Sequence, residues 1–266
     1  MDGLHTTPTT SGPSSGPGRL VVVTGATGGV GRACCARFLA AGDRVLALGR
    51  RAEALDALAQ ELDDERLAVR RCDVASEQDV VDVFGALDGV PDVLVNNAGV
   101  ARSAPLHRTT LADWEDHHRV NATGPFLGTR AVIAGMRERG SGAIVTVAST
   151  VGRVGTPYTA AYAASKHAAV GLMRVAAAEL AGSGATANAV CPTFVDSPMT
   201  DRSVDRITER TGRDADDARD ALGRSSPLGR LLDPDEVAAA VSWLASPDAR
   251  SLNGQTLILD GGGIQA

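Results

Sequence analysis

Lysine is almost absent from this chain: of its 26 basic side chains, 25 are arginines and one is a lysine, Lys166. Aromatic residues make up 3% of the sequence and include just two tyrosines, Tyr158 and Tyr162, too few for a platform on which nucleic-acid bases stack. A formal net charge of −6 disfavours a phosphate backbone, so no nucleic-acid partner is expected. The four cysteines, Cys34, Cys35, Cys72 and Cys191, form no C-x-x-C pair and stand among apolar residues. That excludes a disulfide framework and implies reduced core thiols in a cytoplasmic protein. No stretch reaches the roughly eighteen uninterrupted apolar residues of a membrane span. The first eighteen residues lack the basic start and apolar core of a secretory signal, and 1–18 is expected to be a disordered tail.

What remains, 19–266, is of a length suited to one domain. Short β-branched runs alternate with longer Ala/Leu-rich segments of helical period, the pattern of βαβ units. Strands are expected at Leu20–Val23, Arg44–Leu48, Leu67–Arg71, Asp92–Asn96, Ala143–Ala148, Ala185–Val190 and Thr256–Leu259. Helices are expected at Gly31–Ala41, Ala52–Leu62, Glu77–Leu87, Thr110–Glu138, Tyr158–Ala181 and Pro234–Leu244. The fold class is therefore α/β: one Rossmann-type, doubly wound domain with a seven-stranded parallel sheet and helices on both faces. Ligands of such sheets bind beyond the carboxyl ends of the strands.

Thr24-Gly25-Ala26-Thr27-Gly28-Gly29-Val30-Gly31 joins the first strand to the first helix. Glycines there allow a tight turn and close approach of a pyrophosphate to free N–H groups at the helix start. Two spacings fit, one through Gly25, Gly29 and Gly31 and one through Gly25, Gly28 and Gly31. At the end of the second strand, Gly49 stands where an NAD-selective fold places an acidic residue. Arg50 and Arg51 follow, and a guanidinium fork suits a ribose 2′-phosphate. NADPH/NADP is the expected cofactor, with NAD as the alternative; as a plain helix start, the two arginines would be solvated.

Tyr162 and Lys166 lie four residues apart on a helix and so share a face. A hydride delivered to a ketone leaves an alkoxide that needs a proton, and a free phenol, with a pKa of about 10, gives one up reluctantly. An ammonium beside it stabilises the phenolate. A solvated helix face would be served equally by arginine, which this chain uses everywhere else, so the exception implies a need for a compact ammonium. Ser149, at the end of the fifth strand, is placed to hold the substrate oxygen. Asn121, on the long helix after the fourth strand, is a candidate to order a water that links Lys166 to solvent. His107, His117, His118 and His167 fit no zinc spacing, and no metal is expected.

With these pieces in place, the chain from Arg19 onward resembles the short-chain dehydrogenase/reductase family, in its subgroup of about 250 residues. Thr24–Gly31 resembles the family's cofactor loop, Cys72-Asp73-Val74 its adenine-holding segment and Asn96-Asn97-Ala98-Gly99 its fourth-strand signature. Asn121, Ser149, Tyr162 and Lys166 fall where the family has its catalytic tetrad. The resemblance favours the spacing through Gly25, Gly29 and Gly31, since the other is typical of longer relatives. It also implies cofactor contacts from Asp73, Val74, Asn97, Ala98 and Gly99, and from Lys166, which should bind the nicotinamide ribose. Pro192, Val195 and Ser197 should pass the nicotinamide. Thr193 stands where a glycine is usual, and a β-branched residue resists a left-handed backbone.

By the same resemblance, 198–230 is a substrate lid. Arg202, Arg206 and Arg210 recur there every fourth residue, as do Asp201, Asp205 and Glu209. The pattern predicts a solvated helix laced by i, i+3 ion pairs. The sharper reading sets the cationic row against an acidic carrier, coenzyme A or an acyl-carrier protein. The implied activity is reduction of a 3-oxoacyl thioester or polyketide-like ketone by a cytoplasmic homotetramer. The competing readings are an NAD-linked dehydrogenase working oxidatively and a dinucleotide sensor without turnover.

Overall fold

The computed structural model describes residues 18–265; the tail expected over 1–18 lies, apart from Gly18, outside them. Seven strands form one sheet: β1 Leu20–Thr24, β2 Arg44–Gly49, β3 Leu67–Arg71, β4 Val93–Asn96, β5 Gly142–Val147, β6 Ala185–Pro192 and β7 Thr256–Leu259. Their order is β3-β2-β1-β4-β5-β6-β7, and every pairing is parallel. Central strands read as near-continuous apolar runs because both faces are covered. The side chains of Val21 and Val23 join one core layer while Val22 joins the other, as the two-residue period of a strand requires.

Nine α-helices among the described residues cover the sheet: α1 Gly29–Ala40, α2 Ala52–Leu62, α3 Glu77–Gly85, α4 Leu111–His118, α5 Gly124–Arg139, α6 Ala160–Leu180, α7 Pro198–Thr211, α8 Ala215–Gly223 and α9 Pro234–Leu244. Helices α1 and α9 bury Phe38, Val237 and Val241 on one face. Helices α5 and α6 bury Met136, Met173 and Leu180 on the other. Each such side chain contributes about 1.5–3 kcal/mol. No helix among the described residues is long and apolar enough to cross a membrane. All four cysteines are buried and unpaired, and burial raises the Cys35 thiol to about 12. The chain leaves β1 toward β2 and β3, then returns to place β4 on its other side. That reversal opens a crevice beyond the carboxyl ends of β1 and β4.

Two helices depart from expectation. The segment expected as one helix over Thr110–Glu138 is broken by a π-helical turn at Arg119–Thr123. Its extra residue buries both Val120 and Asn121, and such turns accumulate at functional sites. The helix expected from Tyr158 starts at Ala160. Tyr158 is in the left-handed region at φ 69°, a conformation a helix cannot contain. Tyr162 therefore sits within the first turn of α6, and Lys166 one turn further on.

Candidate active site

The phosphate loop shows which glycines are needed. Gly25 has φ +64°, and a Cβ on it would fall 2.7 Å from the Ala98 Cα. A Cβ on Gly29 would lie 3.0 Å from the Ser197 Cβ, and one on Gly31 would strike the Gly25 carbonyl and come 2.7 Å from Asn97 Nδ2. Gly28 has room, its nearest neighbour being the Gly25 oxygen at 3.5 Å. Close packing thus selects the spacing through Gly25, Gly29 and Gly31. The Thr24 hydroxyl fixes the loop to its neighbour strand: it donates to Val95 O at 3.1 Å and accepts from the Asn97 and Ala98 amides at 2.9 and 3.1 Å. Asn97 Nδ2 donates in turn to the Thr24 and Gly25 carbonyls.

Gly28 caps α1 without a side-chain bond, and the first turn, with Val30 in it, carries no acidic residue. Its N–H groups and the dipole therefore favour an anion. At the end of β2, a Cβ on Gly49 would already lie 3.2 Å from Leu55 and 3.4 Å from the Thr27 methyl. Arg50 and Arg51 are exposed, and neither is in an ion pair among the described residues. The cradle and the free guanidiniums fit a dinucleotide with a 2′-phosphate.

Asp73 is held through its carboxylate, which accepts from Arg119 at 3.1 Å and from the Ala75 amide at 3.1 Å. Val74 is buried against Gly124, where a Cβ would lie 2.9 Å from its methyl. On the other side of the crevice, Pro192 closes β6 opposite Leu259. Thr193 donates its N–H to Leu259 O at 3.0 Å, and its backbone is not left-handed, since Asp63 and Tyr158 are the described non-glycine residues with positive φ. A β-branched residue is therefore unstrained there. Val195 is buried and pairs with Leu232; Ser197 reaches Gly29, so this segment closes against the phosphate loop.

The four residues expected as a tetrad gather beyond β4 and β5. Lys166 is buried, and its ammonium donates to Val147 O at 2.8 Å. It lies 5.9 Å from the centroid of the half-buried Tyr162 ring. Ser149 accepts from the Val151 amide at 3.3 Å and gives only a long 3.5 Å bond to Pro192 O, leaving its proton free to turn. Asn121 is wholly buried. Its Oδ1 accepts from the Val100 amide, and its Nδ2 donates to Val100 O and to Ser165 Oγ, each at 2.9 Å. One amide donor thus holds the loop after β4 and the other the Ser165 hydroxyl of α6. A Cβ on Gly99 would stand 3.2 Å from Asn121 Oδ1 and 3.6 Å from Lys166 Nζ, which explains the glycine there.

Burial pushes the Tyr162 phenol above its ordinary value, with the Ser149 hydroxyl pulling the other way. Burial also lowers Lys166 to about 8. The expected lowering of Tyr162 by Lys166 is not seen: loss of solvent dominates, and the ammonium, 5.9 Å from the ring centroid, is engaged with the Val147 carbonyl. A neutral phenol beside an ammonium that keeps its proton at pH 7 is the arrangement that results.

Beside the four lies a buried histidine that its sequence spacing did not single out. His117 is buried; its Nε2 accepts from the Arg102 amide at 3.0 Å, so its Nδ1 carries the proton that goes to Asp113 O. Its ring meets Tyr162 edge-on at 6.2 Å. The histidine stands two residues before the π turn, near the end of α4. Arg102 pairs with Asp113 at 3.3 Å and Asp116 at 2.9 Å.

The i, i+3 ion pairs expected along α7 are not present among the described residues. Asp201 instead binds Arg219 of α8 at 2.7 Å. Arg206 donates to Ala101 O at 3.0 Å, and Arg210 to Ser103 O at 3.4 Å. The long arginines reach across to the loop after β4 because its carbonyls face α7.

A family model described as Enoyl-(Acyl carrier protein) reductase matches residues 25–263. A D-threitol dehydrogenase of Mycolicibacterium smegmatis is 41% identical over 251 residues, covering 92% of each chain. A 3-oxoacyl-[acyl-carrier-protein] reductase of Thermotoga maritima is 37% identical, covering 92% of this chain and 97% of its own. Among solved structures, a variant of actinorhodin polyketide ketoreductase with NADPH superposes with a TM-score of 0.88 at 36% identity, covering 92% of this chain and 97% of that one.

Proposed function

The chain belongs to the short-chain dehydrogenase/reductase family, whose members are NAD(P)-dependent oxidoreductases, and on that basis we propose that it reduces a ketone to a secondary alcohol with NADPH. A 3-oxoacyl thioester or polyketide-like ketone is the substrate class. The observation that carries this reading is the pairing of one neutral phenol with one buried ammonium, Tyr162 with Lys166, beside the loosely held Ser149 hydroxyl.

Bound in the crevice, the reduced nicotinamide supplies the hydride. Ser149 turns its proton to the ketone oxygen and fixes the carbonyl. Tyr162, kept protonated by burial, gives its proton to that oxygen as negative charge develops. The Lys166 ammonium then stabilises the phenolate left behind. Gly49 and the unpaired Arg50 and Arg51 support NADPH over NADH, as does the NADPH bound by the ketoreductase. The thioester reading draws on the 3-oxoacyl reductase. A second reading, oxidation of a polyol or hydroxyacyl substrate with NAD, draws on the D-threitol dehydrogenase.

The test is consumption of NADPH and NADH against acetoacetyl-CoA, β-keto esters, cyclic ketones and aromatic polyketide mimics. Tyr162→Phe should lower kcat by about 10²- to 10⁴-fold while leaving NADPH binding largely intact. Turnover by that variant near the wild-type rate would overturn the mechanism. A marked preference for NAD in the oxidative direction would select the second reading.

A further inference from the structure

The loop after β4 is hydrogen-bonded alternately on its two sides, as an extended ribbon is. On the inner side, Val100 is tied to Asn121, Arg102 to His117, and the Ala104 amide to Tyr158 O at 2.9 Å. On the outer side, the Ala101 and Ser103 carbonyls accept from Arg206 and Arg210, one turn apart on α7. The inner bonds lead directly to the tetrad; the outer ones lead to the lid.

Arg206 is the half-buried member of this arginine group. Its Nε donates to Arg202 O at 2.9 Å and one Nη2 proton goes to Ala101 O. A guanidinium has five donors; with these two placed, three have no protein partner among the described residues. No carboxylate pairs with it, whereas Arg19 has one and Arg119 and Arg219 have two each. Burial and the charges of Arg102, Arg202 and Arg210 all disfavour its cationic form, with Asp113 in partial opposition. A guanidinium half removed from water among like charges carries a free-energy cost that an incoming anion would offset. The loop carbonyls and helix α7 already fix its orientation, so a ligand need not organise it.

We propose that Arg206, with Arg210 beside it, binds an oxyanion carried by the ketone substrate at the end away from the reacting carbon. The inference rests on the reductase reading above and adds a recognition element to it. Ala101 lies between residues pinned to Asn121 and to His117, whose ring meets that of Tyr162, so the ribbon that seats Arg206 also borders the proton donor. The oxyanion is a carboxylate on the ketone itself or a phosphate on a thioester's carrier arm; two arms of one experiment tell these apart.

The first arm compares keto acids from 4-oxopentanoate to 6-oxoheptanoate with their methyl esters. The second compares acetoacetyl-CoA with acetoacetyl-N-acetylcysteamine. In one arm, wild-type kcat/KM should favour the anionic partner by about 10- to 100-fold, the size of a charge-assisted hydrogen bond. Arg206→Met should erase that preference without slowing the neutral partner, and Arg206→Lys should retain part of it. Arg213→Gln removes equal charge from the exposed end of the lid helix and should leave the preference unchanged. Calorimetric binding of the same pairs to NADPH-loaded Tyr162→Phe enzyme reads the preference without turnover, so a failure of the reductase reading is seen separately. Equal use and equal binding of both partners in both arms, or a preference that survives in Arg206→Met, would overturn the proposal.

Discussion

Replacing Lys166 by methionine separates what the lysine costs the fold from what it does in the reaction. Burial lowers its pKa from 10.5 to about 8. The folded value lies below the unfolded one, so the unfolded chain holds this proton more tightly. The penalty is fully present below pH 8 and is relieved as pH rises toward 10.5. A displacement of roughly 2.5 pH units corresponds to about 3 kcal/mol, most of which should be recovered by pH 10. Methionine also leaves the Val147 carbonyl without its donor, at a cost of about 1–3 kcal/mol. That cost is the same at both pH values and cancels in a difference. Urea unfolding of wild type and Lys166→Met without cofactor, at pH 7 and pH 10, gives the double difference. The wild type should gain about 2–3 kcal/mol on the variant between the two. Parallel pH dependences would show that the ammonium is not desolvated, and the account of the site's electrostatics would fail.

Two further outcomes follow from the cofactor cradle. Gly28→Ala should leave NADPH binding and thermal stability nearly unchanged, whereas Gly31→Ala, with its methyl driven into the Gly25 carbonyl, should abolish binding or lower Tm by several degrees; equal behaviour in calorimetry and thermal melts would refute the glycine assignment. Arg50→Ser combined with Arg51→Ser should cut the NADPH-over-NADH ratio of kcat/KM by about 10- to 100-fold, and an unchanged ratio would remove these arginines from the 2′-phosphate.

The sheet and the clustering of Asn121, Ser149, Tyr162 and Lys166 were legible in the sequence for different reasons. Strand positions follow from short β-branched runs alternating with segments of helical period, and the seven observed strands match them to within a residue or two. Tyr162 and Lys166 were legible because a single lysine in an arginine-rich chain is conspicuous and because i, i+4 spacing survives translation into three dimensions. The π turn was not legible: the run Thr110–Glu138 carries helical period throughout, and the extra residue is fixed by bonds from Asn121 to distant segments. Nor was the burial of His117, which bonds to the amide of the distant Arg102. The lid pairs failed for a related reason. Arg206 and Glu209 are well spaced for each other, but spacing along a helix says nothing of the carbonyls that β4's loop presents from outside it. The strained Tyr158 likewise had no local signal, since neither glycine nor asparagine marks it.

The five-residue ribbon from Val100 to Ala104 divides labour between its edges. Its inner edge registers the catalytic groups; its outer edge receives the arginines of α7. Because one backbone serves both, a change in the side chains of α7 leaves the bonds to Asn121 and His117 in place. Under the proposed function, substrate choice and proton delivery would thus be adjacent in space yet separately mutable.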